Sequence, residues 1–147
     1  MKEMELQPGR ASSEQCQMAI VYDDESARER AMHLCDRLAT QFRKDPQFDF
    51  SWWNIRYLKD PQVSELAAQV AARADLLLFS SSRAEPPAEL KKWIKAWLPR
   101  RRGHGGALVT WVNRSAEAVA TQLELYLKDV AQEGEMDYLP LIDPAAA

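Results

Sequence analysis

The chain has 147 residues, the usual length of one domain, and a globule of this size buries about 70% of its unfolded surface. The formal net charge of −3 and a sequence pI near 5.5 exclude a general attraction for nucleic acid, so such binding would need a local basic patch. The two cysteines match no metal-ligand or redox spacing, and the sequence contains no apolar signal segment and no membrane-spanning apolar run. These features predict a cytoplasmic protein without disulfides.

The first half of the chain begins with a polar segment, residues 1–15, which predicts a flexible tail ahead of a single domain at residues 16–147. Residues 18–22 form an apolar run typical of a buried strand. Apolar residues then recur at helical spacing from Ala27 to Phe42, which predicts the first helix.

Residues 48–57 alternate between apolar and polar side chains and then change parity, as in a bulged or ending edge strand. Asp60 and Pro61 then supply a cap and a first-turn proline for the second helix. Residues 75–79 do not alternate, which favours a central parallel strand covered on both faces. The apolar stripe of the second helix consists of Val63, Leu66, Ala67, Val70, Ala71 and Ala74.

The second half of the chain continues the alternation of helices and strands. Pro86 and Pro87 start a third helix, residues 107–112 predict another double-sided strand, and residues 136–139 predict the fifth. Between these two strands Ser115 is the expected cap of a fourth helix. Its apolar positions would be Ala116, Val119, Ala120, Leu123, Leu127 and Val130.

The order of these elements predicts the fold class. Strands and helices that alternate with short connections form a parallel sheet with helices on both faces. We therefore expect a three-layer α/β domain with a doubly wound, mostly parallel five-stranded sheet. We expect no fifth helix after the last strand, because few residues of this sequence follow Ile142.

Candidate site residues follow from the rule that ligands bind beyond the carboxyl ends of parallel strands, near the point where strand order reverses. Trp53 is the tryptophan placed at a strand end, where its ring would stack on a ligand. The other candidates are polar side chains expected to follow strands one, three and four. They are Asp23, Asp24, Ser80, Ser81, Ser82, Arg83, Thr110 and Asn113.

Two of these groups allow more than one interpretation. The Asp23–Asp24 pair could hold Mg²⁺ through carboxylate oxygens, but a helix cap with a favourable charge at the helix N-terminus is the favoured interpretation. The serine run with Arg83 is either a small-anion site or an ordinary polar loop.

Several common catalytic and cofactor motifs are missing. The serine run has no Gly-x-Ser-x-Gly elbow, His33 falls on a solvent face, and His104 falls at the opposite end of the sheet. Neither Gly-x-Gly-x-x-Gly nor a P-loop lysine motif occurs. We therefore assign no catalytic residue and no cofactor.

One basic patch stands out, at Arg100, Arg101 and Arg102. It could contact phosphates. It also follows a helix C-terminus, where cations are favourable in any case, and it lies at the wrong end of the sheet for the expected site. This position disfavours nucleic acid as a partner.

Residues 17–141 resemble the receiver domains of bacterial response regulators, which are flavodoxin-like, and the acidic pair Asp23–Asp24 after strand one carries the resemblance. Receivers hold Mg²⁺ with this pair and accept a phosphoryl group on an aspartate that ends strand three. Here strand three ends in Phe79, Ser80 and Ser81, and no lysine follows Tyr138, although Thr110 could stand for the family's hydroxyl residue. The resemblance implies a pseudo-receiver that is not phosphorylated in the usual way and binds Mg²⁺ weakly or not at all.

The expected function is therefore a non-catalytic, receiver-like regulatory or protein–protein interaction module. The alternative is a flavodoxin-like protein or enzyme that binds a flavin or nucleotide with residues 80–83 and Trp53. Strand four has apolar side chains on both faces, and the missing fifth helix leaves one sheet face thinly covered. We expect that face to bind a protein partner or a second copy of the chain, as in a homodimer.

Overall fold

The computed structural model describes residues 15–41, 47–101, 103–112 and 118–142. The described residues form five strands, which are β1 (Gln15–Tyr22), β2 (Gln47–Asn54), β3 (Leu76–Ser81), β4 (Ala107–Val112) and β5 (Asp137–Ile142). They also form four α-helices, which are α1 (Glu25–Gln41), α2 (Pro61–Arg73), α3 (Ala88–Trp97) and α4 (Gln122–Glu133). Two short 3-10 helices are Ile55–Lys59 and Leu98–Arg101. No helix in these ranges is both long and apolar enough to cross a membrane.

All five strands run parallel in the order β2-β1-β3-β4-β5. This is the order of a flavodoxin-like sheet, and it confirms the predicted fold class. β3 is central and β2 is an edge, as the sequence pattern predicted. The pairing of β2 with β1 is unbroken from Gln15↔Gln47 to Tyr22↔Asn54, so the change of parity does not reflect a bulge. It arises because β2 places Trp52 and Trp53 in the cores on opposite faces and then ends at Asn54, as the second alternative predicted, with a 3-10 helix following.

Three helices cover the larger core, on one face of the sheet. Small residues of α2 let that helix approach closely, and α3 contributes Trp93 and Trp97, both almost completely buried. Their rings meet edge to face at 5.6 Å between centroids. Leu66 was expected on the inner stripe of α2 but is 57% exposed, because the stripe turned toward the sheet is formed by alanines: Ala67, Ala68, Ala71 and Ala72.

α1 packs on the opposite face, where Ala31 and Cys35 belong to the same core cluster as residues of β1, β3 and β4. The β4 residues Val109 and Trp111 are buried within the chain, with 7% and 5% of their surfaces exposed. Leu139 of β5 is 50% exposed. On this face β4 is therefore more closed than the sequence suggested, and the half-exposed Leu139 lies on β5.

The start of the fourth helix corrects a sequence prediction. The expected cap Ser115, together with Ala116, lies outside the described residues, but Val119 and Ala120 precede the helix, and Val119 is 88% exposed. α4 begins at Gln122, capped by Thr121, whose side chain accepts from the Glu124 amide while the Glu124 side chain accepts from the Thr121 amide. This reciprocal capping box satisfies the N–H groups of Thr121 and Glu124, which have no acceptor within a helix that begins at Gln122.

Candidate functional site

Strand order reverses between β1 and β3, so the crevice predicted by the fold lies between their carboxyl ends. Asp23 and Asp24 follow β1 directly and enter α1. Ser80 and Ser81 were expected in the loop after the third strand, but both are buried inside β3, which extends two residues beyond the apolar run. Pairing of Tyr22 with Ser80 continues the ladder there, because backbone hydrogen bonding does not require apolar side chains.

Asp23 is held by the end of β3. Its carboxylate accepts a short hydrogen bond from the Ser81 hydroxyl and accepts from the Ser82 amide, 3.2 Å from each oxygen. The Ser81 oxygen in turn accepts from the Arg83 amide at 2.9 Å. The carboxylate therefore joins the turn after β1 to the loop after β3, and two protein donors use part of its hydrogen-bonding capacity.

Asp24 caps α1, as the favoured interpretation of the acidic pair predicted. Its Oδ1 accepts from the Ala27 amide at 2.8 Å and from the Ser82 hydroxyl at 3.2 Å. The Ser80 hydroxyl adds a further tie between β3 and α1, donating to the Ala27 carbonyl at 2.7 Å.

Arg30, on the next turn of α1, donates from Nη2 to the Ser81 carbonyl at 3.0 Å. The Nε of Arg30 is buried without a hydrogen-bond partner among the described residues. Arg30 was not among the predicted site residues. Arg30 follows Ala27 by three residues, a helical spacing that places both on the side of α1 that faces the end of β3.

Chemistry at this crevice is limited by those hydrogen bonds. Within the described ranges, no three His, Cys, Asp or Glu side chains group closely enough to hold a metal ion. The acidic pair brings two carboxylates together, but both are engaged by the serine run and by the start of α1. At the carboxyl end of β3 the Ser80 and Ser81 hydroxyls donate inward, to the Ala27 carbonyl and to Asp23.

Two other predicted residues, Thr110 and Trp53, form their hydrogen bonds away from the acidic pair. Thr110 was expected after the fourth strand but is buried within β4, where its hydroxyl lies 3.0 Å from the Tyr138 hydroxyl. Trp53 is partly buried against the larger core, and its indole N–H donates to the Ser51 hydroxyl at 3.0 Å. Asn113 lies outside the described residues. The crevice therefore gathers Asp23, Asp24 and the serine run without Thr110.

A small cavity of about 170 Å³ adjoins Asp23. It is lined by Arg83, which was predicted, and by Arg56, Lys59 and Glu89, which were not. A signal for two of them was present in the sequence. Arg56 and Lys59 directly follow the end of β2 at a spacing of three, and residues three apart lie on the same side of a 3-10 helix.

The basic patch at residues 100–102 is divided by the fold. Arg100 is exposed and forms an ion pair with Glu65, with both N–O distances 3.3 Å. Arg101 is completely buried and donates to the carbonyls of Ala71 and Ala74 at 2.8 and 2.7 Å, and to that of Gly105. Arg102 lies outside the described residues. Arg101 therefore closes the carboxyl end of α2 instead of facing a ligand.

A groove of about 620 Å³ lies between α3 and α4. Crossover helices run antiparallel to the strands they join, so the last turns of α3 and α4 place it at the end of the molecule opposite the crevice. Its apolar lining residues are Ile94, Leu98, Pro99, Tyr126 and Val130. Its charged lining residues are Lys95, Asp129, Glu133 and Glu135.

The charged side chains of the groove favour a positively charged partner. Asp129 and Glu133 are four residues apart on α4, a like-charge spacing that costs an isolated helix about 0.2–0.5 kcal/mol. Burial, and then the Glu133 charge, raise the pKa of Tyr126. Three carboxylates against one lysine leave the rim with a negative balance.

No family model and no curated protein matches the chain. What the chain shares with known proteins is its fold, which is α/β and flavodoxin-like.

Proposed function

We propose that this protein is a non-catalytic, receiver-like interaction module that acts by protein–protein contact and cannot be phosphorylated at the usual strand end. The hydrogen bonds within the crevice support the proposal that the chain is not phosphorylated at this strand end. Ser81 replaces the acceptor aspartate, and its hydroxyl is committed to Asp23. A serine in this position has neither the charge nor the metal ligand that phosphoryl transfer to a carboxylate needs.

The groove between α3 and α4 supports the proposal that the chain acts by protein–protein contact. An apolar floor with an acidic rim is complementary to a segment that presents apolar side chains flanked by Lys or Arg. We therefore assign a basic amphipathic segment of another protein as the partner.

The partner chemistry is tested with a short fluorescent peptide that carries leucines on one helical face and lysines beside them. Fluorescence anisotropy of this peptide with the full chain should show saturable binding. The same peptide with glutamates in place of the lysines should bind at least tenfold more weakly, because its charges face the carboxylates of the rim.

Two double variants locate the contact. Reversing rim charges in Asp129→Lys with Glu133→Lys should weaken binding of the lysine peptide about tenfold. Reversing two exposed acids of α1, in Glu29→Lys with Asp36→Lys, changes the net charge equally and should leave affinity unchanged. Equal losses in both variants, or equal binding of both peptides, would contradict a specific groove.

The absence of phosphorylation is tested separately. Incubation of the full chain with acetyl phosphate and Mg²⁺ should leave its intact mass unchanged, because Asp23 and Asp24 are occupied and no aspartate ends β3. A phosphoryl adduct on the chain would overturn the pseudo-receiver interpretation. Substitution Ser81→Asp restores an acidic residue at this position, and a mass increase in that variant alone would support the assignment of Ser81.

A further inference from the structure

The proposed protein–protein contact does not involve the small cavity beside Asp23. It lies at the carboxyl ends of β1 and β2 and at the loop after β3, close to the point where strand order reverses. This is the place where the fold offers loops from several strands to one ligand. It is also at the opposite end of the molecule from the groove between α3 and α4.

Three cations converge on this cavity from two separate segments. Arg56 and Lys59 come from the 3-10 helix after β2, and Arg83 comes from the loop after β3. All three are exposed, and in the described part of the chain their side chains form no ion pair and no hydrogen bond. Bringing like charges together without a counter-ion is unfavourable, so the arrangement favours an anion between them.

The two carboxylates at the cavity do not fill that role. Asp23 directs its oxygens to Ser81 and Ser82. Glu89 lies in the first turn of α3 and forms no ion pair with the three cations within the described ranges. Counting all five groups, three positive charges and two negative charges leave the cavity with a balance of +1.

We propose that this cavity binds a phosphate-type dianion through Arg56, Lys59 and Arg83. The volume of about 170 Å³ suits a phosphate group and is too small for a whole nucleotide or flavin, whose sites are commonly about 300 Å³ or larger. Arginine side chains bind phosphate oxygens in a bidentate manner, and lysine adds a point charge. The ligand is therefore inorganic phosphate or the phosphate of a small monoester.

The test is a titration of the isotopically labelled full chain with inorganic phosphate at constant ionic strength, followed by amide NMR spectra. We expect saturable shifts at Arg56, Lys59 and Arg83 with a Kd of the order of 1 mM. A parallel titration with a nucleoside monophosphate distinguishes the sources. If the nucleoside monophosphate binds more tightly than inorganic phosphate, the ligand is a phosphate monoester. If it binds equally or more weakly, the ligand is free phosphate.

Matched variants distinguish phosphate binding at this cavity from a general attraction to positive charge. The double variant Arg56→Gln with Lys59→Gln should weaken phosphate binding about tenfold or more, because each charge-assisted contact contributes strongly. The variant Arg37→Gln with Lys128→Gln removes the same charge from exposed positions on α1 and α4 and should leave the Kd unchanged. Glu89→Gln should tighten binding several-fold, because it removes a repulsive carboxylate from the cavity.

The proposal fails if phosphate produces no saturable shifts at these amides up to about ten times the expected Kd. It also fails if both double variants weaken binding equally, because that result would describe attraction to net charge. Circular dichroism spectra of the variants, matching the unsubstituted chain, would show that a loss of binding does not come from unfolding.

Discussion

The buried side chain of Arg101 stabilises the end of α2, although the local sequence gives no strong signal for this contact. Its guanidinium lies at the carboxyl end of α2, where helix carbonyls have no partner within the helix, and it donates to Ala71, Ala74 and Gly105. Burial lowers the pKa of Arg101, and the nearby Asp75 acts in the opposite direction. A cation is retained there because a helix C-terminus is a favourable place for positive charge.

We predict that Arg101→Met destabilises the protein by about 3 kcal/mol or more, because it leaves buried carbonyls unsatisfied. The neighbouring variant Arg100→Met is the control, since it breaks an exposed ion pair with Glu65 and should cost less than about 1 kcal/mol. Urea unfolding of the three proteins measures the difference. Similar losses for both variants would contradict a structural role specific to Arg101.

Cys35 provides a prediction about pH. Burial, with a smaller contribution from the Asp36 charge, raises the pKa of this thiol from 9.0 to about 12. The folded chain therefore retains the proton at a pH where the unfolded chain loses it, and the stability this contributes is complete below pH 9 and lost as pH rises toward 12.

The stability advantage of the unsubstituted chain over Cys35→Ala should accordingly shrink between pH 9 and 12, at up to about 1.4 kcal/mol per pH unit. Other groups that titrate in this range are common to both proteins and cancel in the comparison. Unfolding measurements at several pH values test this. Parallel stability curves would show that the folded chain does not protect the thiol.

At the scale of elements, the start of α4 depends on a short local signal. Thr121 and Glu124 have the spacing of a capping box, with Leu123 immediately inside the helix. Glu124 itself is 2% exposed, which is unusual for a carboxylate and is explained in part by its bond to the Thr121 amide.

Thr121→Ala should lower the free energy of unfolding by about 1 kcal/mol, because the Glu124 amide loses its acceptor. Thr121→Ser keeps the hydroxyl and should restore most of that loss. Thermal and urea unfolding measure both variants. A serine variant as unstable as the alanine variant would indicate that packing of the threonine methyl group, and not the cap, stabilises this helix end.

At the scale of the whole molecule, self-association stays a prediction, and the structure indicates where to test it. β5 is an edge strand, but Pro140 within it has no N–H to donate to an added strand. Contact across the α1 face is therefore favoured over extension of the sheet. Leu139 pairs with Val109, which belongs to the core on the α1 face, and Leu139 is 50% exposed.

Light scattering coupled to size-exclusion chromatography at micromolar concentration should give the mass of a dimer, and Leu139→Glu should give a monomer. Leu66→Glu places the same charge at a similarly exposed leucine on α2, across the sheet, and should remain dimeric. A monomeric unsubstituted chain would refute self-association. Dissociation of both variants would place the contact elsewhere.

The sequence by itself determined the fold class, the central place of the third strand, the edge position of the second and the capping role of Asp24. Each of these depends on periodicity or on hydrogen bonds between near neighbours in the chain, which local residue patterns report directly. The boundaries of β3 and α4 were less predictable. β3 extends into Ser80 and Ser81 because its neighbour β1 continues the ladder, and α4 begins later than its apolar pattern suggested.

Only the tertiary structure decided which distant residues meet. It joined Asp23 to Ser81, placed Arg101 at the end of α2 and brought Arg83 to the same cavity as Arg56 and Lys59. These contacts link segments that lie far apart in the chain, and their geometry follows from strand order and register. A single sequence carries no direct record of either, because hydrophobic patterning specifies which face of an element is buried and not which element it meets.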